Sequence, residues 1–336
     1  MDIIAELKSK AKNKEGRIVL PESYDVRTLQ AADIVLAENF ADIILVGKPD
    51  FVLADAKKHN LDLSRATILD PETHPDIDKF AQFYFDKRKD KGVTMEEACQ
   101  TVRNELYFGA LLVKFGLADG MVAGAVNTTA DVLRAALHVI GVVPGLKTVS
   151  SCFIMVVLDY LCEDRVYFFA DCAVVPNPDA EQLADIAIST ANTRRALVGD
   201  EPKVALLSFS TMGSAQHEMV EKVQEAKVIL TKRKVDFEFD GEMQLDAAIV
   251  PHIAKMKAPH SKVAGHANTL IFPDLQSGNI GYKLTQRFAK AEAIGPIIQG
   301  LAAPVCDLSR GSSRDDIVHT CILVLLMADQ SQNQGV

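Results

Sequence analysis

Short aliphatic runs alternate with amphipathic stretches along most of this chain, and that alternation limits its possible folds more than any other feature. Arg17–Pro21 (RIVLP), Asp42–Val46 (DIILV), Ala66–Leu69 (ATIL) and Gly120–Ala123 (GMVA) read as buried strands. Val26–Glu38 spaces Leu29, Ala32, Ile34 and Leu36 along a helix, and Met95–Phe115 reads as one longer helix opened by a Thr94–Glu97 capping box. A second series has strands over Phe153–Leu158, Val166–Ala170, Val204–Phe209, Asp236–Phe239 and Thr269–Phe272. Its helices are expected over Ala180–Leu197, Ser214–Leu230, Leu245–Lys255 and Ile280–Ala293. A strand-like Ala303–Cys306 and a last helix over Ser313–Ala328 precede a polar tail, Asp329–Val336, expected to fray. Strands joined through helices need βαβ crossovers, so the expected class is α/β with mainly parallel sheets and helices on both faces.

The 336 residues suggest two domains at about 150 residues each. Gly141-Val142-Val143-Pro144-Gly145-Leu146 is a plausible hinge between the two series, with a cleft between two α/β domains as the expected ligand site. Hydrophobic residues at 48% and charged residues at 24% exclude a disordered or fibrous chain. A net charge of −9 argues against non-specific nucleic-acid or acidic-membrane binding, so an anionic substrate needs a local Arg or Lys cluster. The apolar runs near Cys152–Leu158 and Cys321–Ala328 fall short of the ~20 residues of a membrane span. Met1–Arg17 is charged and helical in pattern, unlike an ordinary signal peptide. Cys99, Cys152, Cys162, Cys172, Cys306 and Cys321 form no CxxC pair and read as reduced core residues of a cytoplasmic protein.

Several chemistries are disfavoured by missing motifs. GxGxxG, GxxxxGK[ST] and GxSxG do not occur, and His217-Glu218-Met219-Val220-Glu221 lacks the second His of HExxH. A dinucleotide-dependent dehydrogenase, a P-loop enzyme and a zinc enzyme are therefore disfavoured, and no metal site is expected.

Three strands run into loops rich in Ser, Thr and Gly: Gly124–Thr129, Ser208–Ser214 and Asp307–Ser313. Such loops either cap the following helix or aim hydroxyls and backbone N–H groups at an anion. Arg134 in the apolar stretch VLRAALHVI and Arg310 between Ser309 and Gly311 favour the anion, because an Arg so placed needs a partner or a ligand. Arg88 lies in a charge run that could equally be a solvated face, Asp315 reads as a helix-start carboxylate, and Asp316 is a candidate base.

Six stretches together resemble phosphate acetyltransferase, in the family that also contains phosphate butyryltransferase. They are GLADGMVAGAVNTTADVLRAAL (116–137), FADCAVVPNPDAEQLADIA (169–187), SFSTMGSA (208–215), EFDGEMQLDAAIVP (238–251), FPDLQSGNIGYKL (272–284) and GLAAPVCDLSRGSSRDDIV (300–318). The resemblance implies two α/β/α domains, 1–145 plus a returning 296–336 and 146–295, with an interdomain active-site cleft, in a cytoplasmic homodimer. It implies no cofactor and no metal. Its substrates would be CoA, acetyl-CoA, acetyl phosphate and phosphate, reacting by acetyl-CoA + phosphate = acetyl phosphate + CoA. Asp316 would take the CoA thiol proton, Ser309 would bond the developing oxyanion, and Arg310 would bind phosphate and polarise the carbonyl. Arg88 and Arg134 would hold phosphate and the anionic parts of CoA, together with Asn127, Thr128, Thr129, Ser210, Thr211, Gly213 and Ser214. Met212 stands where many relatives carry Lys, Ala135 replaces a frequent Pro, and Ser312 a frequent Cys.

The chemistry suits these residue types. Moving a proton from an ordinary thiol to an ordinary aspartate is uphill by about 6 kcal/mol, a cost eased where a cleft desolvates the carboxylate. A butyryl-transferring enzyme and a catalytically silent scaffold of the same fold are the alternative readings. The joint presence of Ser309, Arg310 and Asp316 speaks against the scaffold.

Overall fold

The computed structural model describes residues 3–12, 14–160 and 163–333; Met1, Asp2, Asn13, Cys162 and the tail residues 334–336 of the preceding readings lie outside these. The chain forms two compact units, one from residues 2–143 with 301–336 and the other from 144–300. In chain order the first unit opens with α1 (Ile3–Ala11), β1 (Arg17–Leu20), α2 (Val26–Ala37), β2 (Asp42–Val46), α3 (Pro49–Lys58) and β3 (Thr67–Leu69). It continues with α4 (Ile77–Arg88), α5 (Met95–Thr101), α6 (Glu105–Lys114), β4 (Gly120–Ala123) and α7 (Thr129–Val139). Helices α3 and α4 are additions to the patterned reading. The single helix expected over Met95–Phe115 is two: the Thr94–Glu97 capping box opens α5, and Asn104 caps the N–H groups of Leu106 and Tyr107 to start α6.

The second unit holds β5 (Ser150–Tyr160), β6 (Glu163–Ala170), α8 (Ala180–Leu197), β7 (Lys203–Leu207), α9 (Glu218–Arg233) and β8 (Glu238–Met243). Then come α10 (Leu245–Ile249), α11 (Pro251–Lys257), β9 (Thr269–Ile271), α12 (Leu275–Phe288) and β10 (Glu292–Gln299). Its sheet runs β10-β5-β6-β9-β7-β8. The pairs β6–β9, β9–β7 and β7–β8 are parallel, whereas β10–β5 and the β5–β6 hairpin are antiparallel.

Three expectations are corrected here. Helix α9 starts at Glu218, capped by His217, instead of at Ser214. Pro251 cannot donate its backbone nitrogen, so the helix expected over Leu245–Lys255 divides into α10 and α11. The stretch expected as one helix over Ile280–Ala293 is α12 followed by the edge strand β10, whose register shifts between Ile294 and Ile297, around Gly295-Pro296.

The chain then returns to the first unit with β11 (Val305–Asp307) and α13 (Arg314–Asn333). The tail expected to fray from Asp329 instead extends this helix to Asn333. The first unit's sheet runs β11-β4-β1-β2-β3 and every neighbouring pair is parallel. Ile18, Val19, Leu20, Met121, Val122 and Ala123 form its buried centre. Helix α13 packs on α2 and β4. Gly120 permits that approach, because a Cβ there would stand 2.2 Å from Val324 Cγ1. Cys152, Cys172, Cys306 and Cys321 are buried free thiols, and Cys99 is partly exposed. Among the described residues no helix is long and apolar enough to cross a membrane.

Candidate active site

In the first unit, β2 and β3 lie on one side of β1, with β4 and β11 on the other, so the winding of the sheet reverses between β1 and β4. Parallel strands bring the loops after β1, β4 and β11 to the same sheet edge. The crevice outside the carboxyl ends at such a reversal is where open α/β sheets bind ligands.

The loop after β4 is occupied by the protein itself. Glu22, buried just beyond β1, accepts through Oε2 from the N–H groups of Gly124 (2.9 Å) and Ala125 (2.8 Å). Through Oε1 it accepts from the N–H groups of Val126 (3.1 Å) and Asn127 (2.7 Å) and from the Asn127 amide (3.0 Å). Asn127, Thr128 and Thr129, read from the sequence as anion-binding, are thus engaged within the protein. Asn127 is held by Glu22. Thr128 caps α7 and donates to Asp131, and Thr129 donates to Asp307 Oδ2.

Asp307 ends β11 against this loop. Gly124, at φ +104°, leaves it room, since a Cβ there would stand 2.3 Å from Asp307 Oδ1. That oxygen is buried without a partner among the described residues. Burial pushes the carboxyl up to about 6 and the Glu22 charge pushes the same way, while the Thr129 hydroxyl opposes them. An unfolded Asp titrates near 3.9, so the folded state binds the extra proton between about pH 4 and 6, and that stabilisation is lost as pH rises through 6. Asp307→Asn keeps an acceptor for Thr129 and cannot ionise. Its stability relative to the parent is expected to rise by about 1–3 kcal/mol between pH 4.5 and pH 8. Denaturant midpoints at the two pH values check this; a difference that stays constant refutes it.

The loop after β11 is fastened by Arg27 of α2. Its Nη1 donates to the carbonyls of Arg310 (2.9 Å) and Ser312 (2.7 Å), and its Nη2 to the Ala125 carbonyl (2.8 Å) and Asp25 (2.7 Å). One planar donor fork thus ties the loop after β4 to the loop after β11. Within the latter, Ser309 Oγ accepts from the Gly311 N–H at 3.2 Å, and no described residue takes its hydroxyl hydrogen. The exposed Arg310 guanidinium has no hydrogen bond or ion pair among the described residues. Asp316 completes a capping box: its Oδ2 accepts from the Ser313 N–H (2.8 Å) and hydroxyl (2.9 Å), leaving Oδ1. Asp316 is exposed, not enclosed as the desolvated base considered from the sequence would be. Ser309, Arg310 and Asp316 thus come from one loop–helix junction.

Arg88, at the end of α4, is partly buried and its Nε has no partner. Arg134 lies on the exposed side of α7 and pairs with Asp131 at 2.7 Å, so the apolar setting inferred for it is corrected. The Thr128 hydroxyl first and Arg134 second hold the Asp131 carboxyl below its ordinary value. The two arginines act on a common neighbour, the ring of His138.

The second unit's loop after β7 is also filled internally. Buried Ser210 donates to Glu242 Oε1 at 2.8 Å, and the Gly213 N–H reaches the same oxygen at 2.7 Å. Ser214 Oγ accepts from the Thr211 N–H at 2.9 Å, and Thr211 Oγ1 accepts from the Gln244 N–H. Burial alone would raise the Glu242 carboxyl. The Gly213 N–H, the Ser210 hydroxyl and the Gln224 amide outweigh it, and the carboxyl sits below its ordinary value. Ser210, Thr211, Gly213 and Ser214, read from the sequence as anion-binding, are engaged within the protein as the loop after β4 is. Met212, at φ +48°, is exposed at the turn.

Glu22, Arg27, Asp307 and Glu242 were not singled out from the sequence. Two signals were available: an acid immediately after a strand (RIVLPE) and an acid closing an apolar run (APVCD).

A parallel sheet with its winding reversal between β1 and β4 places the Ser309, Arg310 and Asp316 junction at the edge where α/β proteins bind ligands. Residues 2–325 match the family described as phosphate acetyl/butaryl transferase, and the chain belongs to that family. It is 54% identical to the phosphate acetyltransferase of Thermoanaerobacterium thermosaccharolyticum, over 95% of this chain and 97% of that one. It is 50% identical to the phosphate acetyltransferase of Clostridium acetobutylicum, over 98% and 99%. The structure of a phosphotransacetylase from Streptococcus pyogenes matches with a TM-score of 0.92 and 44% identity, covering 98% of each chain.

Proposed function

We propose that this chain is a phosphate acetyltransferase that moves an acetyl group reversibly between CoA and phosphate. The observation that carries the reading, beside family membership, is the junction after β11, where a hydroxyl donor, an unpaired guanidinium and a carboxylate oxygen lie within eight residues of one another (309–316). Written toward acetyl-CoA, Asp316 takes the thiol proton as the CoA sulfur attacks the carbonyl carbon of acetyl phosphate. The C–S bond forms and the carbonyl oxygen becomes an oxyanion facing the Ser309 hydroxyl and Arg310. Collapse breaks the C–O bond to phosphate, which leaves held by Arg88 and Arg134. Donors aimed at an oxyanion contribute about 3–4 kcal/mol each, so two of them offset the roughly 6 kcal/mol of uphill proton transfer. Burial pushes Cys321 up to about 12 and Cys172 well above its ordinary value, which disfavours a thiolate at either. The reading extends to a cytoplasmic homodimer, which sedimentation of the purified protein tests.

Release of CoA thiol from acetyl-CoA, with and without phosphate and with butyryl-CoA in parallel, tests the activity. Phosphate-dependent release fastest with acetyl-CoA is expected, and silence with both thioesters overturns the reading. Asp316→Asn keeps an oxygen for both Ser313 donors, so its melting temperature should match the parent. Its turnover is expected to fall about 100-fold through loss of the base. Undiminished turnover removes Asp316 from the mechanism.

A further inference from the structure

His138, on α7, is not used by the acyl transfer just described. Its Nδ1 lies 3.2 Å from the Tyr107 hydroxyl of α6 and 3.4 Å from the Tyr84 hydroxyl of α4. A hydroxyl both donates and accepts, so this pair serves Nδ1 as the lone pair of a neutral ring and as the N–H of a charged one. Nε2 has no partner among the described residues.

The charged groups that bear on the ring are all cations: Arg88 and Lys87 from α4, and Arg134 from its own helix. From α6 come the neutral Tyr107 and, acting on Lys87, the cation Lys114. Lys87 is tied to the Val139 carbonyl at 2.7 Å and Arg134 to Asp131, while the buried Arg88 Nε has nothing to donate to. Two unmet positions, Arg88 Nε and His138 Nε2, therefore lie in a field of cations, which is the composition of an anion site.

We infer that His138 is a third binding residue of the anion site formed by Arg88 and Arg134, and that it takes up a proton when a tetrahedral dianion binds there. This deepens the acetyl-transfer reading and rests on it for the source of the dianion, a phosphate or phosphate ester of the substrates. The proton comes from solvent, and no bond of the ligand breaks. Burial, then Arg88, Arg134 and Lys87, hold the ring below its ordinary value. A dianion on the two arginines reverses that field and adds an acceptor for Nε2–H.

Sulfate is the first probe, because it does not titrate near neutrality and any proton uptake belongs to the protein. The His138 ring signals followed by NMR should shift their titration midpoint upward by about one pH unit at saturating sulfate, a tenfold change in proton affinity. Calorimetry in buffers of different ionisation heat, near pH 6.5, should show protons taken up on binding, and inorganic phosphate should shift the His138 midpoint in the same direction. His138→Gln should abolish the uptake and weaken sulfate binding several-fold. An unmoved His138 midpoint at saturating sulfate overturns the inference, and so does undiminished uptake in the Gln variant. CoA release is read separately. An active enzyme with an unresponsive His138 defeats this inference alone, and a responsive His138 in an inactive chain defeats the acetyl-transfer reading alone.

Discussion

Replacing Arg310 with Ala is expected to lower kcat about 100-fold or more and to leave the unfolding free energy within about 0.5 kcal/mol of the parent. The two halves of this result have separate structural origins. The guanidinium is exposed and unpaired within the described residues, so its removal costs the folded state nothing that it now has. The loop's shape is kept by other groups: Arg27 holds the backbone carbonyl of residue 310, and Ser309 and Ser312 bond each other's backbone. Losing a guanidinium that the proposed mechanism sets against the developing oxyanion should then appear almost wholly in turnover. Arg310→Lys keeps the charge and loses the planar fork, and an intermediate rate is expected. Steady-state kinetics beside thermal melts decide the matter. Turnover within threefold of the parent would remove Arg310 from the chemistry.

Glu22→Ala should do the opposite, acting on stability first. Its carboxylate serves four consecutive backbone N–H groups and the Asn127 amide. Each buried donor left without an acceptor costs about 1–3 kcal/mol. These costs do not add fully once water enters, and a loss of about 3–5 kcal/mol is expected, a large part of the roughly 5–15 kcal/mol that holds a domain together. The vacated nest matches a small carboxylate, so formate or acetate should restore part of the lost melting temperature in this variant and none in the parent. A variant that melts with the parent, or one deaf to formate, would show that the loop after β4 does not depend on Glu22.

Much of the scaffold was legible because buried parallel strands are continuous aliphatic runs. β1, β2 and β4 fall where RIVLP, DIILV and GMVA stand, and α8 falls where its pattern places it. β10 was not legible, since Gly295-Pro296 reads locally as a break and only pairing with β5 makes the segment a strand. The candidate site divides along the same line. Ser309, Arg310 and Asp316 are neighbours in sequence and their loop announces itself. The loops after β4 and β7 also announced themselves as anion cradles, but their occupants did not. Glu22 is 102 residues from Gly124 and Glu242 is 29 from Gly213, and acceptors so distant leave no trace in a local pattern.

The return of the chain to its first unit has a consequence for synthesis on the ribosome. β4 ends at Ala123 and its outer neighbour β11 begins at Val305, after the whole of the second unit. At about 5–20 residues per second the growing polypeptide waits roughly 10–35 s before that neighbour is made. Through this interval the flank of β4 and the face of α2 that α13 covers remain bare, whereas the uninterrupted stretch 144–300 already has all its strands. The half-made first unit thus presents an open strand flank, the kind of edge that invites pairing with another chain. Ser309, Arg310 and Asp316 are translated after the second unit, so in the proposed mechanism no nascent chain carries the chemistry before β11 is made.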